Sequence, residues 1–272
     1  MISTIKAIFL GIVQGSTEFL PVSSSGHLVL FQNLLGLKEP ELLLDISLHL
    51  GTLLAVCLYF HSDLTKMIKE SWTFAVELLK GRKSFSRIAE TPYASFTLWV
   101  IVGTIPTALI GISFRSTLEG LFDSVPVVGI MLLCTGAILA ISGFISKNRD
   151  GRLNIGLFAA LAVGLAQGFA IIPGISRSGA TIVCGMACGL KRDVAARFSF
   201  LLSIPAILGA LVLQLSSEAR HEIAFLPLLA GLIAATLVGL AALKVLMGMV
   251  TKGNLFWFAP YCWGLGLLML FL

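Results

Sequence analysis

AIFLGIVQGSTEFLPVSSSGH, residues 7–27, decides the fold of this chain, because it begins as an apolar helix and breaks at FLPVSSSGH, residues 19–27. A second stretch 153 residues further on, ALAVGLAQGFAIIPGISRSGA at 160–180, repeats it and is broken by IPGISRSGAT at 172–181. Seven aligned pairs are identical: Ala7/Ala160, Gly11/Gly164, Gln14/Gln167, Gly15/Gly168, Ser23/Ser176, Ser25/Ser178 and Gly26/Gly179. In the wider apolar regions, 3–36 and 155–190, the piece after each break has about 12 to 15 residues, or ~18–22 Å of helix, against a hydrocarbon core of ~30 Å. Each region therefore reads as a re-entrant helix–turn–helix with its Pro/Gly/Ser tip inside the bilayer. Irregular backbone is tolerated there only where protein or a wet cavity satisfies it.

Composition places the rest of the chain in the same solvent. Of 272 residues, 57% are apolar and only 12% charged, against about 25% charged in a soluble globular chain. The mean hydropathy is +0.97. A water-soluble fold of this size is excluded. The excess of 19 Lys and Arg over 14 Asp and Glu reads as a device for membrane orientation and not as a nucleic-acid surface. Five cysteines (57, 134, 184, 188 and 262) lie in apolar stretches without a CxxC pair, which suits packing better than disulfides or metal. The N-terminus has one Lys and no small-residue cleavage site, so it is read as part of the protein and not as a removable signal.

Six further stretches are long enough to span, at roughly 42–60, 95–114, 125–146, 194–214, 225–250 and 255–272. The expected fold is an all-α polytopic membrane protein, one integral-membrane domain over 1–272, with an inverted-topology repeat. Each half, 1–150 and 151–272, has one re-entrant hairpin plus three transmembrane helices. Within 61–93, Leu64, Met67, Ile68, Trp72, Val76 and Leu79 recur at helical spacing opposite Lys66, Lys69 and Lys80, which predicts an interfacial amphipathic helix. A partner-binding helix is the other reading.

Threading the spans leaves Lys6, Lys38, Arg115 and Arg220 on one side. Lys66, Lys69, Lys80, Arg82, Lys83, Arg87, Lys147, Arg149, Arg152, Lys191, Arg192 and Lys252 fall on the other. Positive charge marks the cytoplasm, so both termini are expected outside. An odd number of crossings separates the hairpins, so they enter from opposite faces and meet near the midplane, where such repeats place a site. Alignment also sets Ser24 opposite Arg177.

Glu18 and Arg177 are the charges sited in the two breaks, and an intramembrane ionisable group is functional by default. A plain Glu18–Arg177 ion pair joining the halves is the bland alternative. Ser24 and His27, at i and i+3, share a helical face, and a hydroxyl beside an imidazole is a common way to activate a weak nucleophile. Around Arg177, the hydroxyls of Ser176, Ser178 and Thr181 suit phosphate oxygens, which a guanidinium binds bidentately. Ser23 and Ser25 face the same phosphate or merely cap the helix. Each break also opens a half-helix whose free N–H groups favour an anion. Gln14 and Gln167 are expected to hydrogen-bond the groups that touch the phosphate. His49 reads as a packed histidine, and Asp45 and Arg197 as locally paired.

No GxxxxGK[ST] loop and no CxxxxxR motif is present. SGH at 25–27 with SR at 176–177 approaches the acid-phosphatase type of lipid phosphatase. Val183 and Ala187 stand where that family needs His and Asp, which removes it.

Gln14-Gly15-Ser16-Thr17-Glu18-Phe19-Leu20-Pro21-Val22-Ser23-Ser24-Ser25-Gly26-His27 and Pro173-Gly174-Ile175-Ser176-Arg177-Ser178-Gly179 resemble the two signatures of the undecaprenyl-diphosphatase (bacitracin-resistance protein) family. The resemblance covers essentially the whole chain. It implies a bacterial inner-membrane hydrolase that removes the terminal phosphate of undecaprenyl diphosphate, recycling the lipid carrier of peptidoglycan synthesis and conferring bacitracin resistance. It also implies a polyprenyl diphosphate lipid as partner, a site opening to the outer side, and no nucleic acid. A homodimer is compatible with it. Carried over by position, Glu18, Ser24, His27 and Arg177 match the family's essential residues, with Ser176 and Thr181 as support on the phosphate side. The family's divalent metal, Mg or Ca, would be carried by substrate or by Glu18, since Gln14 stands where some members have a second Glu. On this reading Ser24 attacks phosphorus, His27 takes its proton, and Glu18 orients His27 or binds metal. A transporter or flippase for polyprenyl phosphate is the alternative of a different class.

Overall fold

The structure, a computed structural model, describes residues 3–37, 42–114, 120–121, 124–145, 151–215 and 224–271. Among these, eleven α-helices account for nearly all regular structure. They are α1 Thr4–Phe19, α2 Ser24–Leu34, α3 Leu42–Tyr59, α4 His61–Leu79, α5 Pro92–Ser113, α6 Val125–Ile145, α7 Leu157–Phe169, α8 Arg177–Ala187, α9 Arg192–Leu215, α10 Phe225–Lys252 and α11 Ala259–Met269.

Both expected breaks are present, and local chemistry makes them. Pro21 disfavours helical backbone at the residue before it, and Leu20 duly leaves α1 in extended conformation (ψ 142°). Ser23 then adopts φ 66°, a left-handed geometry uncommon outside glycine, and its hydroxyl caps α2 by accepting the Gly26 N–H at 3.3 Å. The second break is capped in the same way, by Ser176 accepting the Gly179 N–H at 3.1 Å. Here Gly174 supplies the reversal at φ 94°, where a side chain would also run into the Val128 carbonyl. The helices that follow, α2 and α8, have 11 residues each, about 16 Å.

Among the described residues, four single helices are long and apolar enough to cross a membrane: Pro92–Ser113, Val125–Ile145, Arg192–Leu213 and Phe225–Lys252. Two of the six expected stretches, 42–60 and 255–272, form shorter helices. The 42–60 stretch is α3, which reaches spanning length only together with α4 across a 74° bend. The 255–272 stretch opens as a 3-10 turn at Leu255–Phe258, leaving 11 residues of α-helix. Several apolar helices nonetheless fit a multi-pass membrane protein.

Packing relates the two broken segments crosswise. Helix α1 lies along α10, and α7 lies along α5. Gly11 permits the first approach, since a Cβ there would stand 2.5 Å from the Gly231 carbonyl oxygen. Its repeat partner Gly164 permits the second, against the Gly103 carbonyl. Small residues at such positions let membrane helices approach closely.

The largest buried cluster includes Phe19, Phe60, Phe198 and Phe200, with Phe19 edge-on to Phe200 at 5.9 Å. Helix α4 divides the apolar face read from its sequence. Met67 of that face is buried, as is Phe74, which the reading did not include, whereas Ile68, Trp72 and Leu79 point outward. Arg197 on α9 pairs with Asp63 on α4 at 2.9 Å, and Asp45 accepts from Gln32 at 2.8 Å. For Arg197 the partner is thus on another helix, not the local one that its place near a helix end suggested. His49 is hydrogen-bonded to the Asp45 carbonyl at 2.8 Å, in keeping with a packed histidine.

Candidate active site

The last turn of α1, the first turn of α2 and the first turn of α8 converge on Glu18. Helical spacing from Gln14 to Glu18 puts both on the buried side of α1, and the Gln14 amide donates to Glu18 Oε2 at 2.9 Å. Ser24, the first residue of α2, donates its hydroxyl to the same oxygen at 2.5 Å. Arg177, the first residue of α8, closes an ion pair on Oε1 through Nη2. The pair joins residues 159 positions apart and links the two breaks directly. The Glu18 side chain is 6% exposed and that of Arg177 17%.

The remaining hydroxyls line the two capping turns. Ser23 and Ser25 share a hydrogen bond at 3.2 Å, and Ser25 Oγ accepts the Gly174 N–H at 3.4 Å, so the first tip touches the second. Ser176 and Ser178 are likewise 3.2 Å apart. Thr181 lies one turn into α8, bonded to Ser199 at 2.5 Å and donating to the Arg177 carbonyl at 2.7 Å. Thr135 of α6, which the sequence did not single out, braces the second turn. It accepts the Ser176 N–H at 2.9 Å and donates to the Gly174 carbonyl at 2.8 Å.

His27 does not make the contact its spacing suggested. Its Nδ1 lies 2.8 Å from the Ser23 carbonyl, and its Nε2 lies 2.7 Å from the Tyr261 hydroxyl. A carbonyl only accepts, so Nδ1 carries a proton, and when the ring is neutral Nε2 accepts the tyrosine O–H. Both ring nitrogens are thus engaged elsewhere, and the Ser24 hydroxyl is bonded to Glu18 and not to the imidazole. Tyr261 stacks parallel to it, with ring centres 5.8 Å apart. Nothing in the sequence near Tyr261 marks it. The group that directly faces the Ser24 hydroxyl is the Glu18 carboxylate.

Gln167 also departs from its repeat partner. It donates to Thr107 at 3.2 Å and to the Leu202 carbonyl at 3.4 Å, bracing α7 against α5 and α9. The Oε1 atoms of Gln14 and Gln167 are both buried without a hydrogen-bond partner.

A resident metal does not fit this donor set. Among the described residues no three His, Cys, Asp or Glu side chains gather to hold an ion. Both oxygens of Glu18 are engaged, one by a guanidinium.

The arrangement offers a hydroxyl on a carboxylate, a guanidinium beside it, and two helix N-termini. That combination suits in-line attack on a phosphate. A family model described as bacitracin resistance protein BacA matches residues 7–268. The undecaprenyl-diphosphatase of Desulfatibacillum aliphaticivorans is 48% identical over 267 residues, covering 96% of each chain. That of Halothermothrix orenii is 44% identical over 270 residues, covering 98% of this chain and 97% of its own. That of Methanosphaera stadtmanae is 42% identical over 273 residues, covering 100% and 99%.

Proposed function

The chain belongs to the bacitracin resistance protein BacA family, and from that premise we propose that it hydrolyses undecaprenyl diphosphate to undecaprenyl phosphate and inorganic phosphate. Recycling of the cell-wall lipid carrier and resistance to bacitracin follow from that reaction. The observation that carries the reading is the Ser24 hydroxyl held 2.5 Å from a carboxylate whose other oxygen holds Arg177. Transport alone has no use for a hydroxyl placed on a base, so the flippase reading is not favoured. The direct test is phosphate release from undecaprenyl diphosphate by the purified protein, with Ser24→Ala as control. Release by the variant at the wild-type rate would remove the reading.

The mechanism runs in two displacements. The terminal phosphate takes the Arg177 guanidinium from Glu18, which frees the carboxylate as a base. Ser24 Oγ bonds to the terminal phosphorus and its proton passes to Glu18. The bond from phosphorus to the bridging oxygen breaks, and undecaprenyl phosphate leaves with that oxygen. N–H groups at the starts of α2 and α8, with Arg177, stabilise the charge on the transferring group. Water then attacks the phosphoserine, and Glu18 returns its proton to Ser24 Oγ as that bond breaks. The water's proton moves through the Tyr261 hydroxyl to His27 Nε2, and from there to solvent. His27 thus serves the second displacement in place of taking the Ser24 proton. Ser23, Ser25, Ser176, Ser178 and Thr181 hold the turns and offer hydroxyls to phosphate oxygens. Mg or Ca, where the reaction needs it, would arrive on the diphosphate; no step here depends on it.

Tyr261→Phe keeps the stacked ring and removes the O–H. It is expected to lower kcat about tenfold or more, since positioned proton transfer contributes roughly 10²–10⁴, with KM little changed and phosphoserine accumulating. An unchanged kcat would take Tyr261 out of the reaction.

The inverted repeat belongs to the same proposal. It is supported by the crosswise packing at Gly11 and Gly164 and by the joining of the two tips through Glu18 and Arg177. The basic-residue count puts both termini and the mouth of the site on the outer face of a bacterial inner membrane. Lys38, Arg115, Lys147, Arg149 and Arg220 of that count lie outside the described residues. On a cysteine-free background in whole cells, an impermeant thiol reagent is expected to label Phe271→Cys but not Lys80→Cys. The opposite pattern would invert the topology.

A further inference from the structure

Between α4 and the start of α5 lies a cavity of about 400 Å³, lined by Lys66, Lys69, Thr73, Lys83, Thr91 and Tyr93. It involves none of the residues of the serine–arginine site. Its volume falls in the range of small-ligand sites, roughly 300–1,000 Å³.

Two carboxylates stand close by, and one of them is in an ion pair. Glu70, on the cavity wall, accepts the Tyr93 N–H at 3.0 Å. Glu77 holds Lys83 at 2.6 Å. Among the described residues no carboxylate pairs with Lys66 or Lys69. The Lys66 ammonium sits 5.4 Å from the centre of the Tyr93 ring, so an aromatic wall positions it beside the cavity. Two ammonium groups without an ion-pair partner among the described residues, outnumbering the one carboxylate on the wall, thus border a space with threonine hydroxyls, a setting for a phosphate that carries a polar alcohol.

The surroundings say where that phosphate comes from. Helix α4 leaves α3 at 74°, so it runs across the direction of the spans. Ile68, Trp72 and Leu79 are 70%, 73% and 87% exposed along it. An outward apolar row with a tryptophan, flanked by lysines, is the pattern of a helix seated at the headgroup level of a bilayer. There the cavity opens among lipid phosphates.

We propose that this cavity binds the headgroup of an anionic glycerophospholipid from the leaflet on which α4 lies, with Lys66 and Lys69 holding its phosphate. Each basic side chain near an anionic lipid surface adds attraction, and two converging on one cavity select a headgroup over the leaflet at large.

The test is native mass spectrometry of the purified full-length protein after equilibration with equal amounts of phosphatidylglycerol and phosphatidylcholine. Preferential retention of phosphatidylglycerol is expected, falling roughly tenfold or more in Lys66→Gln/Lys69→Gln. Lys80→Gln/Arg82→Gln removes as much charge from outside the cavity and should retain lipid like the wild type. Lys66→Arg/Lys69→Arg keeps the charge and should retain it also. Phosphate release in detergent should stay within about twofold in all three variants, since none touches the reacting groups. Equal loss in the two glutamine variants would reduce the effect to diffuse surface charge and overturn the proposal. So would equal retention of phosphatidylcholine, failure of the arginine variant to retain lipid, or displacement by inorganic phosphate or equimolar undecaprenyl phosphate. Failure of the wild type to release phosphate while still selecting phosphatidylglycerol would instead count against the hydrolase reading alone.

Discussion

Glu18→Gln is expected to lower kcat for phosphate release by roughly 10³-fold, within the 10²–10⁴ that a positioned base contributes. The amide is nearly the same size, so the turn at Leu20–Ser23 should persist. What disappears is the proton acceptor for Ser24 and the anionic anchor of Arg177. Leaving one member of a largely buried pair alone costs about 3–5 kcal/mol, so thermal stability should fall as well. The double variant Glu18→Gln/Arg177→Gln removes both charges and should be less destabilised than the sum of the single variants. Catalysis should not recover with it. Near-normal kcat in Glu18→Gln would place the base elsewhere.

Arg177→Lys carries the second large effect. The planar fork binds two phosphate oxygens, where a lysine offers a point charge. Oriented clamps of this kind contribute ~3–4 kcal/mol, or roughly 10²–10³ in rate. The substitution keeps a cation opposite Glu18, so expression and stability should remain close to wild type while kcat falls by that factor. A variant that kept more than about half of kcat would show that Arg177 only ties the two tips together.

The sequence made the two breaks legible because local rules write them. Pro21 ends α1, Gly174 supplies a positive φ, and Ser23 and Ser176 cap at repeat-equivalent places. The meeting of Glu18 with Arg177 was likewise readable, since two charges in apolar surroundings have few other partners. Ser24 facing Glu18 was not. Helical spacing says that Ser24 and His27 share a face, but not that both imidazole nitrogens are engaged by the Ser23 carbonyl and the Tyr261 hydroxyl. Tyr261 is 234 residues from His27, in a segment with no local signal.

The lengths of two of the spans were not legible for a related reason. Hydropathy sums over a window and is blind to the bend at Phe60 (φ −97°, ψ 20°) and to the 3-10 turn at Leu255–Phe258. The divided face of α4 was out of reach too, because the neighbouring helices, α5 chief among them, decide which apolar residues are covered.

The attack by Ser24 on the terminal phosphorus is tested most directly by a rapid acid quench of the purified enzyme turning over undecaprenyl diphosphate labelled in its terminal phosphate. The expected result is an acid-stable, alkali-labile label on the peptide containing Ser24, more abundant in Tyr261→Phe and absent from Ser24→Ala. An acid-labile adduct on His27 that persists in Ser24→Ala, or turnover of Tyr261→Phe with no protein-bound label at all, would contradict it.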